Sequence, residues 1–147
     1  MKKLEFVHFA SAIVLLSVLE VLLILEGIIP PLSEMSSANL IFSLTSLAVL
    51  FAIGWRFSDD SLMQSIWKGA TAMFLAFIIV IIGVFIGRAA NKPLLGIIVP
   101  SDLTLYLVLL VNLFINMVVG AVVVAAGAFI GRIVQKKEKE KARTKRK

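Results

Sequence analysis

Between Trp67 and Gly87 the chain reads WKGATAMFLAFIIVIIGVFIG, a run that contains a single charged side chain, Lys68. About 20 mainly apolar residues in a helix are enough to cross the hydrocarbon core of a bilayer. A soluble domain of this length has too little interior to bury such a run together with others like it. The stretch therefore predicts a transmembrane helix.

Three further runs have the same character, and 60% of the 147 residues are hydrophobic, against about 45–50% in soluble domains. The sequence therefore predicts one all-α integral membrane domain over residues 1–134, a four-transmembrane-helix bundle. The basic tail, residues 135–147, is too polar to form a core and is expected to be disordered or a frayed helical extension. The predicted spans are residues 9–29, 38–55, 67–87 and 103–134.

The distribution of charge predicts the orientation of the spans. The tail from Lys136 holds eight Lys or Arg and two Glu, so it carries the whole net charge of +6. Cytoplasmic segments of membrane proteins are enriched in Lys and Arg. Both termini are therefore expected in the cytoplasm (N-in/C-in), which leaves only Arg88 and Lys92 in the outer loops. We expect a multi-pass protein of a prokaryotic plasma membrane.

The basic residues near the C-terminus favour membrane lipids as partners. Arg132, Lys136, Lys137 and Arg143 are candidates for binding anionic headgroups, at about 1 kcal/mol for each basic residue near the surface. Charge alone also attracts nucleic acid. No aromatic residue interleaves the tail to stack on bases, so nucleic acid is an unlikely partner.

Small residues recur on the last two predicted helices. Gly83 and Gly87 form one G-x-x-x-G pair and Gly127 and Gly131 another, and Gly120 lies one heptad before the second pair. Glycines let helix backbones approach closely in lipid, where hydrophobic drive between helices is small. We interpret them mainly as packing within the chain. A homodimer or a larger membrane complex is the alternative.

Glu20 is the main candidate for a functional residue, because it lies near the middle of the first span. An acidic residue at that depth costs about 2.5–3.5 kcal/mol on insertion scales. Such carboxyl groups mark proton relays, ion paths or buried polar pairs. Asn112 and Asn116 share one face of the fourth span and are either an interhelical hydrogen-bond clamp or a polar patch along a solute path. A neutral Glu20 bonded to one of these amides, to Thr45 or to Ser46 is the structural alternative.

Two loops carry narrower predictions. Between Pro93 and Pro100 the sequence LLGIIV is too short to span, so it is either an interfacial loop packed on the bundle or a short re-entrant lid. In the loop before the third span, Ser58 or Asp59 is expected to cap the helix by accepting a bond from its free N–H groups.

The residue inventory argues against an enzyme. There is no cysteine and only one histidine, His8, so disulfides, thiolate chemistry and a histidine metal cluster are excluded. No pairing of a nucleophile with a base is recognisable. We expect no catalytic residue, no metal site and no cofactor.

Four short spans with a lone acid at mid-membrane depth in the first resemble the small multidrug-resistance transporters, and Glu20 is the only residue that carries over. The resemblance implies that Glu20 binds protons and cations in a dimer. This chain is longer, and it has a basic tail. Two hypotheses follow: a non-catalytic membrane subunit or scaffold that binds partner helices and anionic lipid, or a small oligomeric proton-coupled transporter or channel that uses Glu20.

Overall fold

The computed structural model describes residues 2–34, 36–92, 94–96 and 101–144, and it is all-helical over these ranges. Each of its four helices is long and apolar enough to cross a membrane. The prediction of a four-helix, membrane-spanning fold is confirmed at that level. The helices are α1 (Lys2–Leu25), α2 (Ser37–Arg56), α3 (Leu62–Ala89) and α4 (Asp102–Thr144).

The helices form a ring in the order α1, α2, α4, α3. In that ring α4 packs on α2 and α3, and α1 packs on the same two helices. Among the described residues, α1 and α4 have no Cα atoms within 8 Å of each other, so they lie diagonally across the bundle. We call the end that holds the start of α1 and the α2–α3 loop the terminal end. The end with the α1–α2 and α3–α4 loops is the distal end.

Helix α1 ends earlier than the Pro30–Pro31 pair suggested. Gly27 has a φ of +74°, in the left-handed region that glycine adopts without a Cβ penalty. Ile28 N donates to Leu23 O at 2.9 Å, and Gly27 N donates to Ile24 O at 2.9 Å. These two bonds form a Schellman motif, which stops the helix at Leu25 before proline has any effect.

Helix α3 begins at Leu62, five residues before the predicted span, and neither Ser58 nor Asp59 caps it. Ser61 is the cap: its hydroxyl accepts from Gln64 N at 3.2 Å, and the Gln64 side chain accepts from Ser61 N at 3.0 Å. This reciprocal pair is a capping box. The prediction of the cap was wrong by two or three positions.

Helix α4 has 43 residues, about 64 Å at 1.5 Å per residue, roughly twice the hydrocarbon thickness. The helix continues through residues 135–144. Lys136 and Lys137 are exposed. The side chain of Arg143 and residues 145–147 lie outside the part that the structure describes.

Two buried clusters hold the bundle. The terminal core contains side chains of all four helices, among them Ile13, Leu50, Ile53 and Val124, each at most 1% exposed. The distal core contains residues of α1, α3, α4 and the distal loops but none of α2. The contribution of α2 to the two apolar cores therefore comes from its terminal half.

Glycines set the closest helix contacts. A Cβ on Gly54 would lie 2.7 Å from Ala128 N, and one on Gly127 would lie 3.1 Å from Trp55 N, so α2 and α4 touch backbone to backbone near the terminal end. Gly131 faces Ser58 in the α2–α3 loop, and Gly120 faces Gly69.

The other pair packs at the distal end. Gly83 faces the Val21 side chain, and Gly87 lies against Leu25 and the backbone of Lys92. The described contacts of both G-x-x-x-G pairs lie within the chain.

Polar contacts fasten the terminal end. Arg132 donates from Nε to Ser58 O at 2.7 Å and from Nη2 to Asp60 O, and Gln135 Nε2 donates to Ser58 Oγ at 2.8 Å. Lys68 pairs with Asp60. The headgroup role predicted for Arg132 remains a prediction, while the structure gives its guanidinium two partners in the α2–α3 loop.

Candidate functional site

All four helices line a cavity of about 490 Å³ that extends from the middle of the bundle to the distal loops, and we call it the distal cavity. The polar members of its lining come from three helices and one distal loop. They include the three residues that the sequence singled out, Glu20, Asn112 and Asn116. The polar lining residues are Ser17, Glu20, Ser33, Ser43, Ser46, Asn112 and Asn116.

Helical periodicity explains why these residues converge. Ser17 and Glu20 lie three apart, and Asn112 and Asn116 lie four apart, so each pair shares a helix face. On α2, the cavity-lining residues Ser43, Ser46, Leu47 and Leu50 follow the same spacing. Because α1 and α4 are diagonal in the ring, their polar faces meet across the cavity instead of packing against each other.

Helix α3 supplies the apolar side of the cavity. Its lining residues are Met73, Ala76, Phe77 and Val80, and Ala76 and Phe77 are buried. Phe77 is the one aromatic residue among the described lining. The cavity thus has a polar side formed by α1, α2 and α4 and a hydrocarbon side formed by α3.

The described side-chain hydrogen bonds of the two asparagines lie within α4, not between helices. Asn112 Nδ2 donates to Val108 O at 2.8 Å, and Asn116 Nδ2 donates to Asn112 O at 2.8 Å. Both bonds stay within α4, because the nearest helix across that face is separated from α4 by the cavity. Asn112 is exposed and Asn116 is partly exposed, so these amides line an open space.

No positively charged residue is among the described lining around Glu20. The two basic side chains of the distal end are engaged elsewhere. Arg88 pairs with Asp102 at 2.7 Å, and Lys92 Nζ donates to Leu25 O at 2.7 Å, at the C-terminal end of α1. The half-buried Glu20 carboxyl is therefore the one ionisable group that the described chain contributes to the cavity.

The distal loops cover the cavity at its end. Leu32 N donates to Leu94 O at 3.0 Å, which joins the α1–α2 loop to the α3–α4 loop. Leu94 is 1% exposed and belongs to the distal core, while Leu32 and Leu95 line the cavity. The described part of the LLGIIV segment thus packs on the bundle and also covers the cavity. Its residues 97–99 lie outside the described residues.

Asn39 is a structural residue of this end that the sequence analysis missed. Its Nδ2 lies 3.2, 3.0 and 2.9 Å from the carbonyl oxygens of Pro30, Pro31 and Glu34, and its side chain is buried. The contacts anchor the α1–α2 loop to the start of α2. The sequence did contain a signal for this role: Asn39 is a polar residue in the first turn of a helix, eight positions after a Pro-Pro pair.

No protein-family model, curated protein or solved structure is found to match the chain. Within the described residues no group of three His, Cys, Asp or Glu is positioned to hold a metal ion. The chemistry open to the site follows from its geometry: one carboxyl group, hydroxyl and amide oxygens as acceptors, and an apolar wall.

Proposed function

We propose that the protein binds a small organic cation in the distal cavity and exchanges it for a proton on Glu20, as a small membrane transporter does. The observation that carries the proposal is the convergence of Glu20, Asn112 and Asn116 on one cavity of about 490 Å³. Cavities that bury organic ligands have volumes of about 300–1,000 Å³. The charge of the lining favours a cation.

The proton exchange follows from the surroundings of Glu20. A carboxyl group away from water is more stable in its neutral form, and a nearby positive charge favours its ionised form. An empty cavity therefore favours a protonated Glu20, and an arriving cation favours release of that proton. The hydroxyl and amide oxygens around it are acceptors for the N–H groups of a bound cation.

The scaffold hypothesis receives less support from the same structure. Its support was the small-residue faces, the few polar groups and the tight loops. The described contacts of the four glycines in those faces are with other parts of the same chain: Gly83, Gly87, Gly127 and Gly131. An exposed polar group such as Asn112 at membrane depth fits a water-filled or ligand-filled path better than a surface against lipid.

We further propose the N-in, C-in orientation in a plasma membrane, with the distal cavity in the outer half. The positive charges of the terminal end support it. In this orientation the exposed Lys136 and Lys137 meet the anionic inner leaflet.

Proton release tests the function. Purified protein in detergent and weak buffer is titrated with butylammonium, octylammonium and guanidinium while the pH is recorded. Wild type should release about one proton for each cation bound at Glu20, and Glu20→Gln should release none, since an amide has no proton to exchange. Glu26→Gln is the matched control, because Glu26 is exposed and lies outside the cavity. Release that persists in Glu20→Gln, or wild type that neither binds nor releases, would contradict the proposal.

A further inference from the structure

The cavity is open sideways at its distal half. The distal core contains apolar residues of α1, α3 and α4 but none of α2, and the one buried residue in the distal half of α2, Asn39, bonds to the α1–α2 loop instead of to a neighbouring helix. The most exposed helical residues of the lining are Ser43 on α2 and Asn112 and Val119 on α4. The opening therefore lies between the distal halves of α2 and α4.

The opening lies at the depth of the lipid chains. Asn112 is ten residues from the start of α4 at Asp102, about 15 Å along the helix, which is half of a hydrocarbon core of about 30 Å. The described distal loops cover the end of the cavity, through the bond from Leu32 N to Leu94 O. The side of the cavity faces the membrane, while its end is covered.

We infer that the cavity takes its ligand from the lipid through the gap between α2 and α4, and that the ligand is an amphiphilic primary amine with its ammonium group on Glu20 and its hydrocarbon chain along α3. The inference deepens the proposed function and rests on it. In the proposed orientation, the source is the outer leaflet.

The chemistry of the lining selects this class. A primary ammonium group has N–H donors that match the carboxylate, the hydroxyls of Ser17, Ser43 and Ser46, and the amide oxygens. A quaternary ammonium ion has no such donor and is bound by several aromatic faces, whereas the described lining offers Phe77 alone. The four α3 residues form an apolar wall for a hydrocarbon chain, which a metal ion does not need.

The route is tested by the reactivity of Glu20 toward two carbodiimides. Dicyclohexylcarbodiimide partitions into lipid, and the cationic reagent EDC stays in water; both modify protonated carboxyl groups. The full-length protein is placed in lipid nanodiscs, so that both membrane faces are accessible. Modification is mapped by peptide mass spectrometry, with Glu20→Gln to assign the peptide. The lipid-soluble reagent should modify Glu20 much faster than EDC.

A crosslink across the distal loops separates the two routes. A Cβ on Gly96 would lie 2.9 Å from Pro31 Cβ and nearer still to Ser33 Oγ, so the two loops must separate by about 0.6 Å or more to reach the 3.5–4.5 Å of a disulfide, and formation of the bridge is checked by mass spectrometry. The natural chain has no cysteine, so Pro31→Cys/Gly96→Cys gives one defined bridge, with the two single variants as controls. Oxidation should leave the rate of modification by dicyclohexylcarbodiimide unchanged.

The class of ligand is tested by the same assay, the modification of Glu20 by dicyclohexylcarbodiimide. Decylammonium should protect Glu20 from modification, and decyltrimethylammonium should need at least about ten times the concentration, because it loses the hydrogen bonds to charged and polar acceptors. Equal protection by both ions would overturn the assignment of a primary amine.

Three results would overturn the route. They are faster reaction with EDC, a rate that falls when the loops are crosslinked, and an unreactive Glu20 in nanodiscs that becomes reactive in detergent. The last result would mean that another helix or a second copy covers the gap. Each can occur while cations still release protons in detergent, so failure of the route is distinguishable from failure of the proposed function.

Discussion

Replacing Gly54 by alanine should separate α2 from α4 at their closest contact. The added Cβ would lie 2.7 Å from Ala128 N and nearer still to the Val124 carbonyl oxygen, where ordinary contact begins at 3.4 Å. Both obstacles are backbone atoms, so no rotamer change relieves them. The two helices must therefore move apart by about 0.7 Å or more at this point, at the expense of packing.

The loss of stability in Gly54→Ala depends on the side chains that pack beside the contact between α2 and α4. Leu50, Ile53 and Val124 are all 0% exposed beside it, and a gap of about 0.5–1 Å forfeits a quarter to a half of each dispersion contact. Overpacking of a well-packed core typically costs about 1–3 kcal/mol. We expect Gly54→Ala to lower the free energy of unfolding by about 3 kcal/mol, the upper end of that range, because backbone atoms cannot rotate away.

The assay is reversible unfolding in mixed micelles of mild detergent and SDS, followed by the fluorescence of the two tryptophans. Gly27→Ala is the matched control: its Cβ has no neighbour within 4 Å, so it should cost only the strain of a positive φ, about 1–2 kcal/mol. If Gly54→Ala is no more destabilising than Gly27→Ala, the backbone contact between α2 and α4 is not as tight as described.

Three further predictions concern the two ends of the bundle. Asn39→Ala removes the donor shared by three loop carbonyls and should lower the free energy of unfolding by about 2 kcal/mol. Thr45→Ala is the control, because the Thr45 hydroxyl bonds within its own helix, and it should change the free energy of unfolding by no more than about 0.5 kcal/mol. Equal unfolding midpoints for the two variants would refute the prediction. Arg132→Ala should speed hydrogen exchange in the α2–α3 loop, because two donors to its carbonyls are lost; unchanged exchange would show that the loop holds without them. Single cysteines at Ser33 and Thr144, treated with an impermeant maleimide on intact cells, should be labelled at position 33 only, and labelling at 144 would contradict the proposed orientation.

The number of helices was predictable from the apolar runs. Their ends depend on single residues, such as a glycine or a capping serine, which are harder to recognise in a sequence. The apolar runs predicted all four helices because lipid demands length and apolarity and little else. The predicted end of α1 was too late because it rested on the Pro30–Pro31 pair. Gly27 adopts a left-handed conformation and ends the helix before the chain reaches those prolines. The start of α3 could have been predicted from the Ser61-x-x-Gln64 pattern, which is that of a capping box. The cap was predicted two or three residues earlier instead.

The cavity was beyond sequence reasoning for a different reason. Periodicity shows that Asn112 and Asn116 share a face, and the cost of Glu20 marks it as a residue with a role. Neither signal says which helices are diagonal in the ring. The polar faces of α1 and α4 meet across a space because these two helices are diagonal in the ring, with α2 and α3 between them.

The apolar packing of α2 lies in the terminal core, so the helix acts as a lever arm whose distal end moves together with the α1–α2 loop that Asn39 holds. Its terminal half is fixed against α4 at Gly54, and its first residue, Ser37, lies 17 residues away, about 25 Å along the axis. A tilt of about 5° around Gly54 therefore moves Ser37 by roughly 2 Å, more than the length of a carbon–carbon bond. The same tilt displaces the side chains beside Gly54 very little. A rotation small enough to leave the terminal core intact thus changes the width of the gap between α2 and α4 by a distance that matters to a hydrocarbon chain.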